Sequence, residues 1–478
     1  MNAGRDIRTF NQVYINGCFA VPHGTQVIDL INPSDNEVIG KVTLADKIDA
    51  RNAIVAAKDA LRTFSRTTKE ERMDYLERLH ACVSGRMDDL VAATVLEYGA
   101  PQERAKGSNA LASNIFLHFR EVLRDFDLIT TAGTSTVVLE AVGVVGIFTP
   151  WNSSAGSIAV KLAPAIAAGC TTVIKPSEMS AMQTKVLMEC FHAAGLPPGV
   201  INIVTGLGEE IGGVLTSHPD IAKIAFTGST QIGKEVAKAA LDTIKRFTLE
   251  LGGKSANIIL DDADFAKAIP MAVAACYLNN GQACIAASRL LVPENRLEET
   301  KMLIRATVEN IKVGEPNDAA VTIGPLASRR QYDRVQEYIR AGIAEGAELV
   351  IGGEGHPPGL ERGNFVRPTV FANVTPKMKI AREEIFGPVL SILTYRTQDE
   401  AIRMANDSDF GLMAYVSSSD SERAERVARQ LDAGRVLINT LSHDPLAPFG
   451  GFKQSGIGRE GGIFGLREFL EPKAIITE

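Results

Sequence analysis

The chain has 478 residues, with 50 Lys and Arg against 57 Asp and Glu and a formal net charge of −7. That length exceeds what one hydrophobic core holds, so two or three domains are expected. The acidic balance and the lack of a long Lys/Arg run argue against general nucleic-acid binding, and the longest apolar run, residues 141–148, is far too short to span a bilayer.

Residues 1–8 lack the apolar centre of a secretory signal, which points to a cytoplasmic chain. Over 47–66 and 69–98, apolar residues recur at three- and four-residue intervals among charges, predicting helices. From Thr136 β-branched residues take over, and 136–148 reads as a hairpin followed by a buried strand. Residues 155–170 are apolar but hold Lys161 and Pro164, which suits a packed helix better than a membrane span. Short strands at 171–175, 200–204 and 221–226 then alternate with helices at 180–194, 209–217 and 231–241. This alternation predicts an α/β fold built on a doubly wound parallel sheet. A second alternating block follows, with segments at 256–260, 265–279 (helical), 288–292, 297–311, 331–345, 348–351, 389–395, 400–405 (helical), 414–417 and 435–439. The Gly-rich stretch 352–363 reads as a surface loop.

Six cysteines (Cys18, Cys82, Cys170, Cys190, Cys276 and Cys284) form no CxxC pair and no metal-ligand spacing with the histidines. Free thiols in a reducing cytoplasm are expected, and no metal site. Cys284 ends the small-residue turn Asn280-Gly281-Gln282-Ala283-Cys284, and Glu250-Leu251-Gly252-Gly253-Lys254 lies upstream. A thiolate can attack an electrophilic carbon, and a carboxylate can then activate water to release the intermediate. Taken alone, that turn also describes an inert buried cysteine.

Thr149-Pro150-Trp151-Asn152 follows the predicted buried strand, at the end where open α/β sheets bind ligands. The Asn152 amide suits an oxyanion, although a capped turn explains the segment equally simply. Lys175-Pro176-Ser177-Glu178 follows the next strand, and its carboxylate suits a pair of ribose hydroxyls. In Phe226-Thr227-Gly228-Ser229-Thr230-Gln231-Ile232-Gly233, a strand passes through a glycine turn into a helix whose free N–H groups suit a diphosphate.

In order and spacing, these segments resemble the aldehyde dehydrogenase superfamily. Glu383-Glu384-Ile385-Phe386-Gly387-Pro388-Val389 and Pro448-Phe449-Gly450-Gly451-Phe452-Lys453-Gln454-Ser455-Gly456 extend the resemblance over nearly the whole chain. It implies that Cys284 attacks an aldehyde, that Asn152 and the Cys284 N–H hold the oxyanion, and that Glu250 activates water on the resulting thioester. NAD, in preference to NADP, is the implied cofactor. Lys175 and Glu178 would take its adenosine ribose, Gly228 and Ser229 its diphosphate, and Glu384, Phe386 and Trp151 its nicotinamide end. The implied domains are a dinucleotide-binding part (1–120 and 142–252), a catalytic α/β part (253–455) and a small β oligomerisation arm (121–141 and 456–478). A homodimer or homotetramer is implied, with Arg246, Arg459 and Glu471 near the interface.

The run Ser153-Ser154-Ala155-Gly156-Ser157 and Val160 stand where many members carry bulky tunnel residues, and the loop 441–447 holds His443 and Asp444 in place of a frequent aromatic. A substrate channel favouring short, hydroxylated or charged aldehydes is therefore expected. Two other readings stay open: a CoA-acylating dehydrogenase, which the carboxylate at Glu250 disfavours, and a catalytically silent family member, which Cys284, Glu250 and Asn152 disfavour.

Overall fold

The computed structural model describes residues 7–477, so the reading of residues 1–6 and the last residue of the C-terminal segment lie outside it. Two parallel sheets organise the chain, in line with the predicted alternation. In the first, Val144–Phe148, Thr171–Lys175, Ile201–Ile203, Ile221–Thr227 and Arg246–Glu250 run parallel. Val144–Phe148 and Thr171–Lys175 are buried at every residue, as strands covered by helices on both faces must be. Val144–Phe148 lies directly beside Ile221–Thr227, so the winding reverses there. Antiparallel strands complete the sheet to eight: Val13–Ile15 and Cys18–Ala20 on one edge, Gly456–Ile457 on the other.

The second sheet has seven strands. Ala256–Ile259, Arg289–Pro293, Thr369–Ala372, Val389–Tyr395, Met413–Ser417 and Arg435–Ile438 are parallel, and Glu348–Ile351 closes one edge antiparallel. A separate antiparallel sheet pairs Ile129–Ala132 with Ser135–Ala141 and the latter with Leu470–Ile475. Its outer strand, Ile129–Ala132, is exposed throughout.

Several elements differ from the periodicity. Residues 69–98 break into Lys69–Ser84, Met87–Ala93 and a wide-turned segment Thr94–Tyr98, which Gly99 ends in a left-handed conformation at φ 81°. Gln102–Asp125 is one unbroken helix that crosses the expected boundary at 120. It packs Phe116, Phe119 and Leu123 against Leu162 and Ile166 of Ser154–Ala168 and Leu76 and Leu79 of Lys69–Ser84. Each such fully buried side chain contributes roughly 1.5–3 kcal/mol. The helix expected over 265–279 stops at Tyr277, because Asn279 and Asn280 take left-handed φ values of 57° and 60°. Among the described residues no helix is long and apolar enough to cross a membrane.

Candidate active site

Strand register alone lines up one side of the site. At the carboxyl edge of the first sheet, Thr227 is paired with Glu250, Phe226 with Phe148, and Phe148 with Lys175. Neighbouring strands lie about 4.8 Å apart, so the four segments following these residues start side by side. The turn after Phe148 is fixed by Thr149 N–H, which donates to the Lys175 carbonyl at 3.2 Å. Lys175 is buried, and its Nζ donates to Pro176 O at 3.2 Å and to Glu178 Oε2 at 3.4 Å. Loss of water pushes its pKa down, with Glu178 opposing. Gly228 N–H donates to the Glu250 carbonyl at 3.1 Å, and Ser229 caps the helix Thr230–Leu241 by accepting from Ile232 N–H. The four segments read from sequence thus share one edge.

The opposite side is a turn held by side-chain amides. After Tyr277 the chain passes through left-handed Asn279, Asn280 and Gly281, the last at φ 74°. Gly281 admits no side chain, since a Cβ there would sit 2.2 Å from the carbonyl carbon of Gly387. Asn280 bridges three strangers: its amide donates to Gly99 O (3.2 Å) and Pro325 O (3.0 Å) and accepts from Gly324 N–H (2.8 Å). Gln282 does the same, donating to Tyr98 Oη at 3.1 Å and accepting from Ala327 N–H at 3.0 Å. Asn279 donates to Asn152 O at 2.9 Å, and Asn152 Nδ2 donates to Gln282 O at 2.9 Å. This exchange clamps the Asn152 segment to the Cys284 turn and leaves the second Nδ2 hydrogen of Asn152 unassigned.

Cys284 is half-buried at the end of that turn. Burial pushes its thiol up to about 12, and Glu384 and Glu250 add to the shift. Glu250 is 4 % exposed, and neither of its oxygens has a hydrogen-bond partner among the described residues. Burial, reinforced by Glu460, raises its carboxyl well above the usual range. Glu384 differs: Oε1 accepts from Gly253 N–H at 3.0 Å, while burial still raises its pKa. Gly253 itself must lack a side chain, because a Cβ would lie 2.2 Å from the Cys284 carbonyl oxygen.

Behind Glu250 lies a pair that sequence reasoning did not assign to the site. Lys161, 2 % exposed, donates to Glu460 Oε1 and Thr227 Oγ1, both at 2.6 Å. A lysine inside the apolar segment 155–170 was the available signal, since a buried charge demands a partner. Arg246 pairs with Glu471, whereas Arg459 donates to the carbonyls of Gly451 and Gly458. His443 is exposed on its loop, with Nδ1 3.2 Å from Arg435 Nη1.

The donor set fits a dinucleotide. Glu178 and the Oε2 of Glu384 present carboxylate oxygens of the kind ribose hydroxyls donate to, and a capped helix start at Ser229 offers N–H groups. Phe386 holds an unusual φ of 64°, fixed by the bond from Gln331 Nε2 to its carbonyl at 2.6 Å, and meets Trp151 edge-on with ring centres 5.5 Å apart. Among the described residues no cluster of three or more metal-ligating side chains occurs.

Comparison with known proteins agrees. The family model described as "Aldehyde dehydrogenase family" matches residues 20–475. A 3-succinoylsemialdehyde-pyridine dehydrogenase from a Pseudomonas species is 45% identical over 472 residues, 98% of this chain and 99% of the relative. A putative aldehyde dehydrogenase of Staphylococcus saprophyticus is 42% identical, covering 98% and 99%. The crystal structure of a mutant aldehyde dehydrogenase C from Pseudomonas syringae, complexed with NAD+ and octanal, superposes with a TM-score of 0.97 at 44% identity, covering 99% and 98%. Betaine aldehyde dehydrogenase from Staphylococcus aureus in complex with NAD+ gives 0.95 at 36% identity, covering 98% and 94%. With the family model over nearly its whole length and these relatives over almost all of theirs, the chain belongs to the aldehyde dehydrogenase family and is an NAD-dependent oxidoreductase of aldehydes.

Proposed function

We propose that Cys284, Asn152 and Glu250 divide the oxidation of an aldehyde to a carboxylic acid. Cys284 loses its thiol proton to solvent water and its sulfur bonds to the aldehyde carbon, whose C=O pi bond opens to the oxyanion of a thiohemiacetal. The free Nδ2 hydrogen of Asn152, with the Cys284 N–H, stabilises the oxygen that becomes negative. When bound, the nicotinamide ring accepts the hydride whose departure leaves a thioester on Cys284. Glu250 then takes a proton from water, the water oxygen bonds to the acyl carbon, and the C–S bond breaks to return the thiolate and free the acid.

Glu250 carries this reading. A carboxylate buried without a hydrogen-bond partner among the described residues is costly to stability, and its raised pKa makes it a stronger base than an ordinary carboxylate. Lys161 and Glu460 act on the Glu250 charge in opposite senses, Glu460 raising its pKa and Lys161 lowering it. Glu178 and Lys175 would grip the adenosine ribose, Gly228 and Ser229 the diphosphate, and Glu384, Phe386 and Trp151 the nicotinamide end.

The exposed strand Ile129–Ala132 supports an arm that pairs copies of the chain as a dimer or tetramer. The separate antiparallel sheet supports the division into cofactor, catalytic and arm regions, and the free cysteines suit the cytoplasm. Small polar residues at 153–157 support a channel for polar aldehydes. NADH formation across an aldehyde panel, with and without CoA, tests the reaction. Free acid in step with NADH and indifference to CoA are expected; an acyl-CoA product would overturn the role of Glu250.

A further inference from the structure

Arg104 and Ser108 lie one turn apart on the helix Gln102–Asp125. Ser108 lines a cleft shared with Trp151, Asn152, Ser153 and Asn279. Arg104 reaches the same wall, donating from Nε to Asn279 Oδ1 at 3.3 Å. Asn279 in turn holds the Asn152 carbonyl, so the guanidinium stands one side chain away from the residue read as the oxyanion donor.

Nothing in the described residues answers its charge. No carboxylate pairs with Arg104, and neither Nη group has a hydrogen-bond partner. Its pKa falls below the usual arginine value because burial removes water. Arg435, the other guanidinium nearby, is already engaged by the carbonyls of Ala447 and Pro448 and by His443. His443 is held below its usual pKa by desolvation and by the positive charges of Arg435 and Arg104. A partly dehydrated guanidinium with an open planar fork is a receptor for two oxygens of one carboxylate.

We propose that Arg104 recognises a carboxylate on the substrate and that the preferred substrates are short aldehydes ending in one. The inference rests on the reading of Cys284 and Asn152 as the reacting pair. With Asn279 as the single side chain between Arg104 and Asn152, the carboxylate recognised is one a few carbons from the aldehyde. The small side chains at Ser153, Gly156 and Ser157 leave room for that chain without offering an apolar wall to a longer one.

The test is steady-state kinetics with NAD on 4-oxobutanoate, its methyl ester and butanal, for the wild type, Arg104→Met and Arg104→Lys. The wild type should prefer 4-oxobutanoate over the ester by about tenfold or more, as a charge-assisted bidentate bond allows. In Arg104→Met the ratio of kcat/KM for 4-oxobutanoate over butanal should fall about 10- to 100-fold, mainly through KM. Arg104→Lys should restore part of the ratio, since the charge returns without the fork. Equal use of acid and ester by the wild type, or a ratio unmoved by Arg104→Met, overturns the inference while the oxidation reading stands. If no aldehyde gives NADH, or Cys284→Ser leaves turnover intact, the oxidation reading falls and this inference falls with it.

Discussion

The two walls of the site are built by different means. The carboxyl edge of the first sheet sets Glu250, Thr227, Phe148 and Lys175 by backbone pairing between parallel strands. The Cys284 turn takes three consecutive left-handed residues and is fastened by the amides of Asn279, Asn280 and Gln282 to residues 98, 99, 152, 324, 325 and 327. A wall held by backbone hydrogen bonds keeps its shape when a side chain changes. One held by side-chain amides loses it when a single amide goes.

The largest expected effect lies at the tip of the second wall. Cys284→Ser should lower kcat by about 10⁴-fold or more, the scale seen when a covalent nucleophile is removed. In Glu250→Gln, where hydrolysis stalls, peptide mass spectrometry should show an acyl adduct on Cys284, and an adduct on any of the other five cysteines would refute the assignment.

Glu250→Gln, on the first wall, should leave the geometry intact and remove only the base. One equivalent of NADH should appear rapidly, with steady-state turnover reduced about 10²- to 10⁴-fold. The pH dependence follows from the raised pKa values. Glu250 becomes a base, and Cys284, pushed up to about 12, a thiolate, only as protons leave, so the wild-type kcat that contains the water step, and kcat/KM with it, should climb as pH rises. A flat profile, or full turnover in Glu250→Gln, would break the assignment of the base.

Asn280→Ala sharpens the contrast between the walls. It removes three hydrogen bonds at a buried site and puts alanine at φ 60°. A cost of about 2–4 kcal/mol follows from the stranded partners and the left-handed conformation. Urea denaturation measures it, and a change below about 0.5 kcal/mol, the scale of an ordinary surface substitution, would show that the turn does not depend on its amides.

The smallest effect concerns cofactor choice at the far end of the first wall. Glu178 should favour NAD by repelling a 2′-phosphate, with Lys175 at 3.4 Å softening the repulsion. Glu178→Ala should narrow the ratio of kcat/KM for NAD over NADP about tenfold, the weight of one partly screened charge. Equal use of the two cofactors by the wild type would remove that role from Glu178.

Much of the first wall was legible before folding. Strand, glycine turn and helix start are local signals, so Thr149-Pro150-Trp151-Asn152, Lys175-Pro176-Ser177-Glu178 and Phe226-Thr227-Gly228-Ser229 could each be placed at a strand end, and register then brought them together. The second wall was legible only in part. Cys284 stood out in its small-residue turn, but periodicity carried the preceding helix on to 279, because apolar spacing cannot register that Asn279 and Asn280 turn left-handed when distant carbonyls hold their amides. The N-terminal strands, only three residues each, left too short a pattern to read.

The sequence by itself named candidates for the chemistry, a nucleophile, a base, an oxyanion donor and a dinucleotide's contacts, in an order that matches the family. Those depend on residue type and local spacing, which survive without coordinates. The tertiary structure alone decided that Lys161 answers Glu460, that Gly456–Ile457 completes the first sheet, and that Arg104 meets no carboxylate among the described residues. Each of these turns on which charges and strand edges meet after burial. The partners lie far apart along the chain, and only the closed core fixes which of them are brought within a hydrogen bond and which are left bare.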